Sequence, residues 1–270
     1  MICFLITTAA IVLIVLVRKP RPAKNKQGQQ VSNPNQIQLD SNKEIICIAT
    51  YNIQAGKNMN GERDISRSAH VIKEADLVGV QEVCAASFLN KLKFGFSQSQ
   101  ALAKLGNFSF LFSATQYRWL QEHRGNAILS KLPILNWQAQ MLPTQAGRNY
   151  RNMTVIDVEW QNQTFKFMNT HLNTRDGREQ QLEFVLNEFA KHPKAILVGD
   201  FNTKPNNPLL LRALSNNETV DAIADLKLNN NDENKRIDWI LTKGFKLHSG
   251  KVIEKGVSDH PCYQVYLSII

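Results

Sequence analysis

Apolar runs of strand length alternate with longer amphipathic stretches from residue 44 to the end of the chain. Short runs dense in Ile, Val and aromatic side chains predict buried β-strands. They cover residues 44–53, 76–83, 108–114, 126–132, 152–160, 164–172, 195–202, 236–244 and 263–269. Gln161-Asn162-Gln163 separates two of these runs, so 152–160 and 164–172 are predicted to form a hairpin.

Three stretches between the strands have the spacing of amphipathic helices. Residues 62–75 place Ile65, Ala69 and Ile72 on one side, and a second helix is predicted over 87–105. Residues 178–192 predict the strongest helix, which Pro193 ends. A hairpin combined with covering helices favours an α/β (α+β) sandwich with mixed sheets over a doubly wound parallel sheet.

The first 17 residues form an uninterrupted apolar run, MICFLITTAAIVLIVLV, which RKPRPAKNK follows at once. Seventeen apolar residues reach the lower limit for crossing a bilayer. A secretory signal has its positive charges before the apolar run and a small-x-small site after it, so a retained single-pass anchor over 1–17 is favoured. The positive-inside rule favours a cytoplasmic catalytic domain, with the periplasmic or extracellular side as the alternative.

The segment after the apolar run is rich in Pro, Gln, Asn and basic residues and contains few large apolar side chains. Such a composition cannot bury a core, so residues 18–43 are predicted to be a flexible linker. Residues 44–270 contain no internal repeat and no natural break. The predicted organisation is therefore an anchor (1–17), a linker (18–43) and one catalytic domain (44–270).

The charge balance changes once the leader is set aside. The chain has 32 basic and 23 acidic residues, a formal net charge of +9, and five of the basic residues lie in 1–26. The rest carries 27 basic and 23 acidic residues, or +4. A mildly basic domain of ordinary globular composition is compatible with an anionic substrate but does not require one.

The four cysteines have no CxxC spacing, and Cys3 lies inside the apolar run. Cys47, Cys84 and Cys262 leave an odd count, so neither a zinc site nor a disulfide framework is indicated. We expect buried free thiols.

Polar side chains stand at the ends of many predicted strands. They are Asn52, Glu82, His171, Asp200, Asn202, Asp238, Asp259 and His260. Taken singly, an Asn or Asp after a strand is an ordinary turn residue and a lone histidine is an ordinary core residue. Together they indicate one cleft at the edge of the sheets, where ligands of α/β proteins commonly bind.

These residue types fit hydrolysis of a phosphate ester, which needs charge neutralisation, an activated water and a stabilised leaving oxyanion. Mg²⁺ prefers oxygen ligands and needs only one or two carboxylates, which Glu82 and Asp259 supply, with Mn²⁺ as a substitute cation. His171 and His260 suit contacts to the phosphate. Asp238 is the candidate partner that orients the second of these histidines.

The remaining pair of strand-end residues suits the attacking water. Asp200 is predicted to orient or deprotonate that water, and Asn202 lies two residues along the same strand. No P-loop, GxSxG elbow or Cys/His zinc cluster competes with this site.

The motifs that contain these residues resemble the endonuclease/exonuclease/phosphatase superfamily. YNI, QEV, GNAILSKLPI, THL, GDFN, RIDWIL and SDHP occur in that family's order between about Ile45 and Leu267. The family includes DNase I, AP endonucleases, neutral sphingomyelinases and inositol polyphosphate 5-phosphatases. The resemblance implies a DNase I-like, four-layered α/β sandwich in which two packed mixed β-sheets are flanked by helices.

The resemblance also implies roles for individual positions. Asn52 and Glu82 resemble metal-site residues, and Glu82 is the implied direct ligand. Arg151 lies where many members place a phosphate-binding arginine, with Arg148 as the competing choice. Asn126 of GNAIL is a candidate residue of the substrate cleft.

The same matching implies roles for the other motif residues. His171 resembles a phosphate-contacting histidine, and Asp200 with Asn202 resembles the pair that positions the water and the phosphate. Asp238 resembles the carboxylate that orients the terminal histidine. The SDH motif implies a metal-linked Asp259 and a catalytic His260.

The chain departs from many nuclease members two residues after the first Asn, where it has Gln54. An amide is a poor second metal ligand, so a two-metal site is not favoured. The insertions with which AP endonucleases grip damaged DNA are also not evident.

The superfamily acts on several phosphate esters, so the resemblance leaves the substrate open. The apolar leader and the modest charge favour a membrane-tethered phosphodiesterase acting on a phospholipid head group. A DNase I-like endonuclease acting on DNA is the second hypothesis, and it needs basic residues beside the cleft. A non-catalytic, membrane-tethered binding module is the third. We expect a monomer without a protein partner.

Overall fold

The computed structural model describes residues 20–31, 43–86, 97–118, 121–144, 149–228 and 235–270. Over these residues the chain forms two seven-stranded mixed β-sheets. The sheets pack face to face, and helices cover their outer faces. The predicted four-layered α/β sandwich is therefore confirmed.

The first sheet contains some of the strands at whose ends the predicted site residues lie. Its spatial order is β1 (Arg21–Pro22), β5 (Ser109–Tyr117), β6 (His123–Ser130), β4 (Leu77–Ala85), β3 (Ile46–Asn52), β14 (Cys262–Ile269) and β13 (Phe245–Ile253). Strands β3 and β4 are parallel, and the other neighbours are antiparallel.

The second sheet contains the other strands that end in predicted site residues. Its spatial order is β11 (Val220–Asp221), β12 (Asp238–Lys243), β10 (Ala195–Asp200), β9 (Gln163–His171), β8 (Asn152–Trp160), β7 (Ile134–Met141) and β2 (Lys26–Val31). Strands β9 and β10 are parallel, and the remaining pairs are antiparallel.

The helices begin where the sequence offers caps. They are α1 (Ile65–Ile72), α2 (Gln98–Gly106), α3 (Arg178–Ala190), α4 (Pro208–Leu214) and the short α5 (Ala222–Asp225). Asp64 caps α1 by accepting the backbone N–H of Ser66 at 2.9 Å, and Asn207 caps α4 in the same way. A short 3₁₀ turn, Gln54–Gly56, follows β3.

The main core lies between the two sheets. Ile48 of β3 and Val198 of β10 are fully buried there, as is Phe167 of β9. Gly79 allows the sheets to approach this closely, because a Cβ at that position would lie 2.3 Å from a methyl carbon of Val198. Two further clusters pack α1 and α2 on the first sheet and α3 and α4 on the second.

The predicted strands and helices are present with shifted ends. The helix predicted over 87–105 is helical from residue 98, and residues 87–96 lie outside the described ranges. Two long strands were not predicted, β7 and β13. Both have half-exposed, mixed sequences without a clear alternation, which is why their hydrophobic pattern is weak.

The prediction of a flexible linker over 18–43 was wrong for residues 21–22 and 26–31. Strand β1 pairs with β5 at the edge of the first sheet, and β2 pairs with β7 at the edge of the second. Pairing at an edge uses backbone N–H and C=O groups, so a polar sequence can supply it without an apolar core of its own. We call residues 20–31 the strap, because they join the same side of both sheets.

The predicted anchor, residues 1–17, lies outside the described residues, as do residues 32–42 of the predicted linker. None of the helices in the described ranges has the length and apolar character needed to cross a membrane.

The expectation of buried free thiols is confirmed for three cysteines. Cys47, Cys84 and Cys262 are buried and unpaired. Burial raises the pKa of the Cys47 and Cys84 thiols to about 11.

Candidate active site

The ends of β9, β10 and β12 place three predicted residues side by side. His171 is opposite Asp200 in the parallel pair, and Asp200 is opposite Asp238 in the antiparallel pair. Asn52 at the end of β3 reaches across from the other sheet, and its Nδ2 donates to Asp200 Oδ2 at 3.1 Å. The two sheets therefore meet at this carboxylate.

Asp200 is the centre of the cluster. Its Oδ2 lies 3.4 Å from His171 Nε2 and 3.6 Å from His260 Nε2. Its Oδ1 accepts the backbone N–H of Asn202 at 2.9 Å. Burial, followed by the nearby charge of Asp238, raises the pKa of Asp200 to about 7. The carboxylate is thus held by several donors inside a site where little water competes.

Asp238 and His260 form the pair that the sequence predicted. His260 Nδ1 lies 2.8 Å from Asp238 Oδ2. An ionised carboxylate only accepts hydrogen bonds, so Nδ1 is the donor and Nε2 is left to face Asp200. Burial works against a charged ring here, but the hydrogen bond and charge of Asp238 outweigh it, and the pKa of His260 rises to about 9.

His171 has a different environment although it faces the same carboxylate. It is buried, and its Nδ1 has no hydrogen-bond partner among the described residues. Burial, then the charges of Arg151 and His260, holds the pKa of His171 well below its usual value. The pKa values of the two histidines of the site are therefore shifted in opposite directions.

Glu82 projects from a bulge in β4. The register slips between Val80 and Val83, where two residues of β4 stand against one of β6, and Glu82 has a φ of 56°. The bulge leaves Gln81 buried between the sheets and turns Glu82 to a cavity of about 320 Å³. The Glu82 carboxylate makes no hydrogen bond or ion pair with another residue in the described ranges.

Asn202 begins the loop after β10 in the left-handed conformation, with a φ of 49°. Its Nδ2 donates to the carbonyl of Leu172 at 2.9 Å, and its own carbonyl accepts from Arg178 at 2.9 Å. These bonds fix the N–H that Asp200 accepts.

Arg151 and Asn126 line the same cavity as Glu82 and His171. Arg151 Nε donates to Asn173 Oδ1 at 3.1 Å, and burial lowers the pKa of its guanidinium. Asn126 Nδ2 donates to Asn152 Oδ1 at 3.0 Å. The competing candidate, Arg148, lies outside the described residues.

Asp259 opens on the other side of the cluster. It lines a second cavity of about 800 Å³ together with Asp238 and His260. Ser258 anchors this segment, because its hydroxyl donates to the Asn52 carbonyl at 2.7 Å. The two cavities thus adjoin one central cluster, and its members are Asn52, His171, Asp200, Asp238 and His260.

The donor groups have the chemistry that a divalent cation takes, and Glu82 and Asp259 line different cavities on either side of the cluster. Asn52, Glu82 and Asp259 offer the carboxylate and amide oxygens that Mg²⁺ prefers, and the Glu82 carboxylate is free to take a ligand. Asp200, Asp238 and His260 also bring one ligand atom each within 4.8 Å of one another. We assign these three residues to the hydrogen-bonded network around His260 and not to a metal site. Asp238 already occupies Nδ1 of His260, and Mg²⁺ rarely selects nitrogen ligands.

Arg236 is a supporting residue that was not predicted from the sequence, and Asn173, which braces Arg151, is another. Arg236 is buried beneath Asp238, and its Nη1 donates to the Asp238 carbonyl at 3.0 Å. Its other nitrogen pairs with Asp221, and the guanidinium stacks 3.8 Å from the centre of the Trp239 ring. Its place before the Asp of RIDWIL was the available signal, but burial of a lone arginine cannot be read from sequence.

Comparisons with known proteins agree with this architecture. The sequence model of the Endonuclease/Exonuclease/phosphatase family matches residues 49–260, which contain every predicted site residue. No curated protein matches the chain at a significant level.

Solved structures share the fold at low sequence identity. An endonuclease/exonuclease/phosphatase from Beutenbergia cavernae has a TM-score of 0.68 and 19% identity, over 84% of this chain and 72% of that one. A mannosyl-6-phosphatase from Bacteroides thetaiotaomicron has a TM-score of 0.64 and 17% identity, over 83% and 100%. D. rerio TDP2 complexed with a single-strand DNA product has a TM-score of 0.59 and 16% identity, over 84% and 100%.

Proposed function

The chain belongs to the endonuclease/exonuclease/phosphatase family and is a hydrolase of phosphate esters, and from that premise we propose that it is a membrane-tethered, Mg²⁺-dependent phosphodiesterase. The observation that carries the proposal is the convergence of two histidines and an amide on the buried Asp200 carboxylate, with the unpaired Glu82 facing the adjoining cavity.

Glu82 and Asp259, with Asn52, would hold the cation. When bound, Mg²⁺ neutralises charge on the phosphate oxygens and on the leaving oxygen. Mn²⁺ satisfies the same oxygen donors and is expected to substitute. Gln54 offers only an amide, which supports a single cation rather than a pair.

His260 acts on the phosphate. Asp238 fixes the ring through Nδ1, so Nε2 points towards the reacting centre and donates a hydrogen bond to a phosphate oxygen. Arg236 fixes Asp238 in turn through its carbonyl. The ring is therefore preorganised and need not reorient as charge develops.

Asp200 acts on the water. Its Oδ1 is held by the Asn202 N–H and its Oδ2 by Asn52, which fixes the carboxylate beside His171 and His260. A carboxylate held in this way orients the attacking water and takes its proton.

His171 and Arg151 complete the phosphate contacts. His171 lies against Asp200 on the side of the Glu82 cavity, and Arg151 is braced by Asn173, with no hydrogen bond from its terminal nitrogens to another described residue. An arginine held by its Nε presents two donors to a phosphate at little entropic cost.

A phospholipid head group is the proposed substrate class. The support is the apolar run of residues 1–17, together with a formal charge of only +4 over residues 27–270. Cytoplasmic placement of the domain follows from the basic residues after that run.

A nuclease is the second candidate function. The observation in its favour is the set of cations on the Glu82 cavity, Lys57, Arg124 and Arg151. A non-catalytic module has no such support, because all the hydrolytic positions of the family are filled.

Metal dependence and substrate class are tested with the full chain in detergent micelles. We expect bis-p-nitrophenyl phosphate to be hydrolysed with Mg²⁺ or Mn²⁺, EDTA to abolish turnover, and added Mg²⁺ to restore it. Equal rates with and without EDTA would contradict the metal proposal. Phospholipid vesicles and plasmid DNA are then compared at matched enzyme concentration, and nicking that falls steeply with salt would favour the nuclease.

A further inference from the structure

The strap lies at the rim of the cavity that Glu82 faces. Pro22 of β1 is opposite Gln116 of β5, and Gln116 is opposite Arg124 of β6. Gln116 and Arg124 both line the cavity. Neighbouring strands lie about 4.8 Å apart, so Pro22 is roughly 10 Å from Arg124 along one row of the sheet.

Few residues separate the apolar run of the leader from this rim along the chain. Val17 is five residues before Pro22, and five residues of fully extended chain span at most about 18 Å. Covalent geometry alone keeps Val17 within roughly 28 Å of Arg124. In a chain whose residues 1–17 enter a bilayer, as the proposed function has it, this reach limits how far the rim can stand from the lipid surface.

The rim is cationic and largely unneutralised. Its exposed basic residues are Arg21, Lys24, Lys57 and Arg124. None of them forms an ion pair with an acidic side chain of the described residues. Glu122, the nearby acid, is already paired with Arg63 at 2.8 Å.

Part of the positive charge at the opposite end of the sandwich is neutralised. Lys166 is paired with Asp157, and Lys243 is paired with Glu218. The four basic residues of the rim have no such partners among the described residues. Anionic lipid surfaces attract such clusters by about fivefold in affinity per basic residue.

We propose that this cationic rim docks on the membrane that carries residues 1–17, with Lys57 and Arg124 against the phosphates of anionic lipids, so that the catalytic cavity opens into the headgroup layer. This inference rests on the proposed function for the identity of the cavity and for the membrane tether. It goes beyond that function by fixing which face of the domain meets the bilayer and why a headgroup reaches the site without leaving the membrane.

Position relative to the bilayer tests the proposal without any assay of activity. Met59 is 62% exposed and lines the second cavity beside the active site. Asn162 lies in the turn before β9, and nine residues of strand place it roughly 30 Å from His171. Met59→Cys and Asn162→Cys are each labelled with a fluorophore in a full chain carrying Cys3→Ser. Both are reconstituted into phosphatidylcholine–phosphatidylserine vesicles containing headgroup-quencher lipids.

We expect quenching of the label on Met59→Cys and no quenching above background of the label on Asn162→Cys. Stronger quenching of the Asn162→Cys label overturns the orientation. Recovery of the chain in the soluble fraction also overturns it. Because hydrolysis is not measured, a different orientation would overturn the docking proposal and leave the proposed phosphodiesterase activity intact. A chain that is correctly oriented but inactive would overturn the proposed activity and leave the docking proposal intact.

Charge variants identify the groups that make the contact. The double variant Lys57→Gln/Arg124→Gln should lose the extra quenching that phosphatidylserine gives over phosphatidylcholine alone. Lys246→Gln, an exposed lysine of β13 at the opposite end, is the matched control and should retain it. Unchanged quenching in the double variant contradicts the lipid contact. Weaker binding of single-stranded DNA by that variant, with lipid contact unaffected, assigns the rim to nucleic acid instead.

Discussion

At the scale of single residues, the site stores backbone strain. Gln54 and Glu82 both have positive φ, a region that residues other than Gly and Asn rarely adopt. Glutamate has no local hydrogen bond to compensate, so its cost at this position is about 1–2 kcal/mol. Strain of this kind is retained where a side chain must be aimed, which marks Glu82 as a functional position.

Glu82→Asn separates stability from function. Asparagine tolerates the left-handed conformation, so we expect the free energy of unfolding to rise by about 1 kcal/mol in EDTA. The same change replaces the carboxylate with the amide of a shorter side chain and should lower kcat at least about 100-fold. Urea unfolding and steady-state kinetics measure the two effects. A less stable variant with full activity would contradict this account, because it would show that Glu82 is needed for the bulge and not for binding the cation.

Sequence reasoning succeeded at this scale where a motif fixed the residue and failed where burial decided. Asn52, Asp200 and His260 were predicted and do converge. Arg236 and Asn173 were missed, because a buried arginine and a bracing amide have no distinctive spacing. Their roles follow from tertiary contacts with Asp238 and Arg151.

At the scale of elements, a buried amide network ties β4 to β9 below the site. Gln81 Nε2 donates to Asn169 Oδ1 at 2.8 Å, and Asn169 Nδ2 donates to the carbonyl of Ala127 at 2.8 Å. Gly79 provides the space for this network, since its missing Cβ would lie 2.9 Å from Asn169 Oδ1. The bulge that aims Glu82 is therefore supported from the second sheet.

Gly79→Ala tests that packing. The added methyl group would overlap Val198, so we expect a loss of about 1–3 kcal/mol in the free energy of unfolding. The double variant Gly79→Ala/Val198→Ala removes the overlapping methyl and should be more stable than the sum of the two single losses implies. Strict additivity of the three unfolding energies would show that the sheets adjust without strain.

The strands of the core were predictable because both of their faces are apolar, as in ILVGD of β10. The edge and near-edge strands were not, because β2, β7 and β13 have at least one solvent face and little alternation. Their pairing depends on the sheet beside them rather than on their own sequence.

At the scale of the whole molecule, the strap ties the N-terminal segment into the fold. Residues 20–31 pair with the edges of both sheets and cover backbone groups that would otherwise be exposed. The sequence indicated one catalytic domain beginning at residue 44, since composition reports only what a segment can bury. The structured part begins earlier.

Truncation tests whether the folded domain includes residues 20–31 or begins at residue 44. Deleting residues 1–31 removes the strap, and loss of its ladder hydrogen bonds should cost roughly 2 kcal/mol or more relative to deletion of residues 1–19. Thermal unfolding of the two truncated chains measures the difference, and exposed strand edges should also make the shorter chain aggregate. Equal melting temperatures would contradict this prediction and show that residues 20–31 act as a linker that does not stabilise the fold.

The turnover number of Asp200→Asn tests the central claim most directly. The full chain and the variant are compared on bis-p-nitrophenyl phosphate with saturating Mg²⁺, with Asp157→Asn on β8 as the matched control. Loss of the carboxylate that orients and deprotonates the water should lower kcat about 1,000-fold or more, with folding and the control unchanged. Turnover of Asp200→Asn within about threefold of the unaltered chain would contradict hydrolysis at this site.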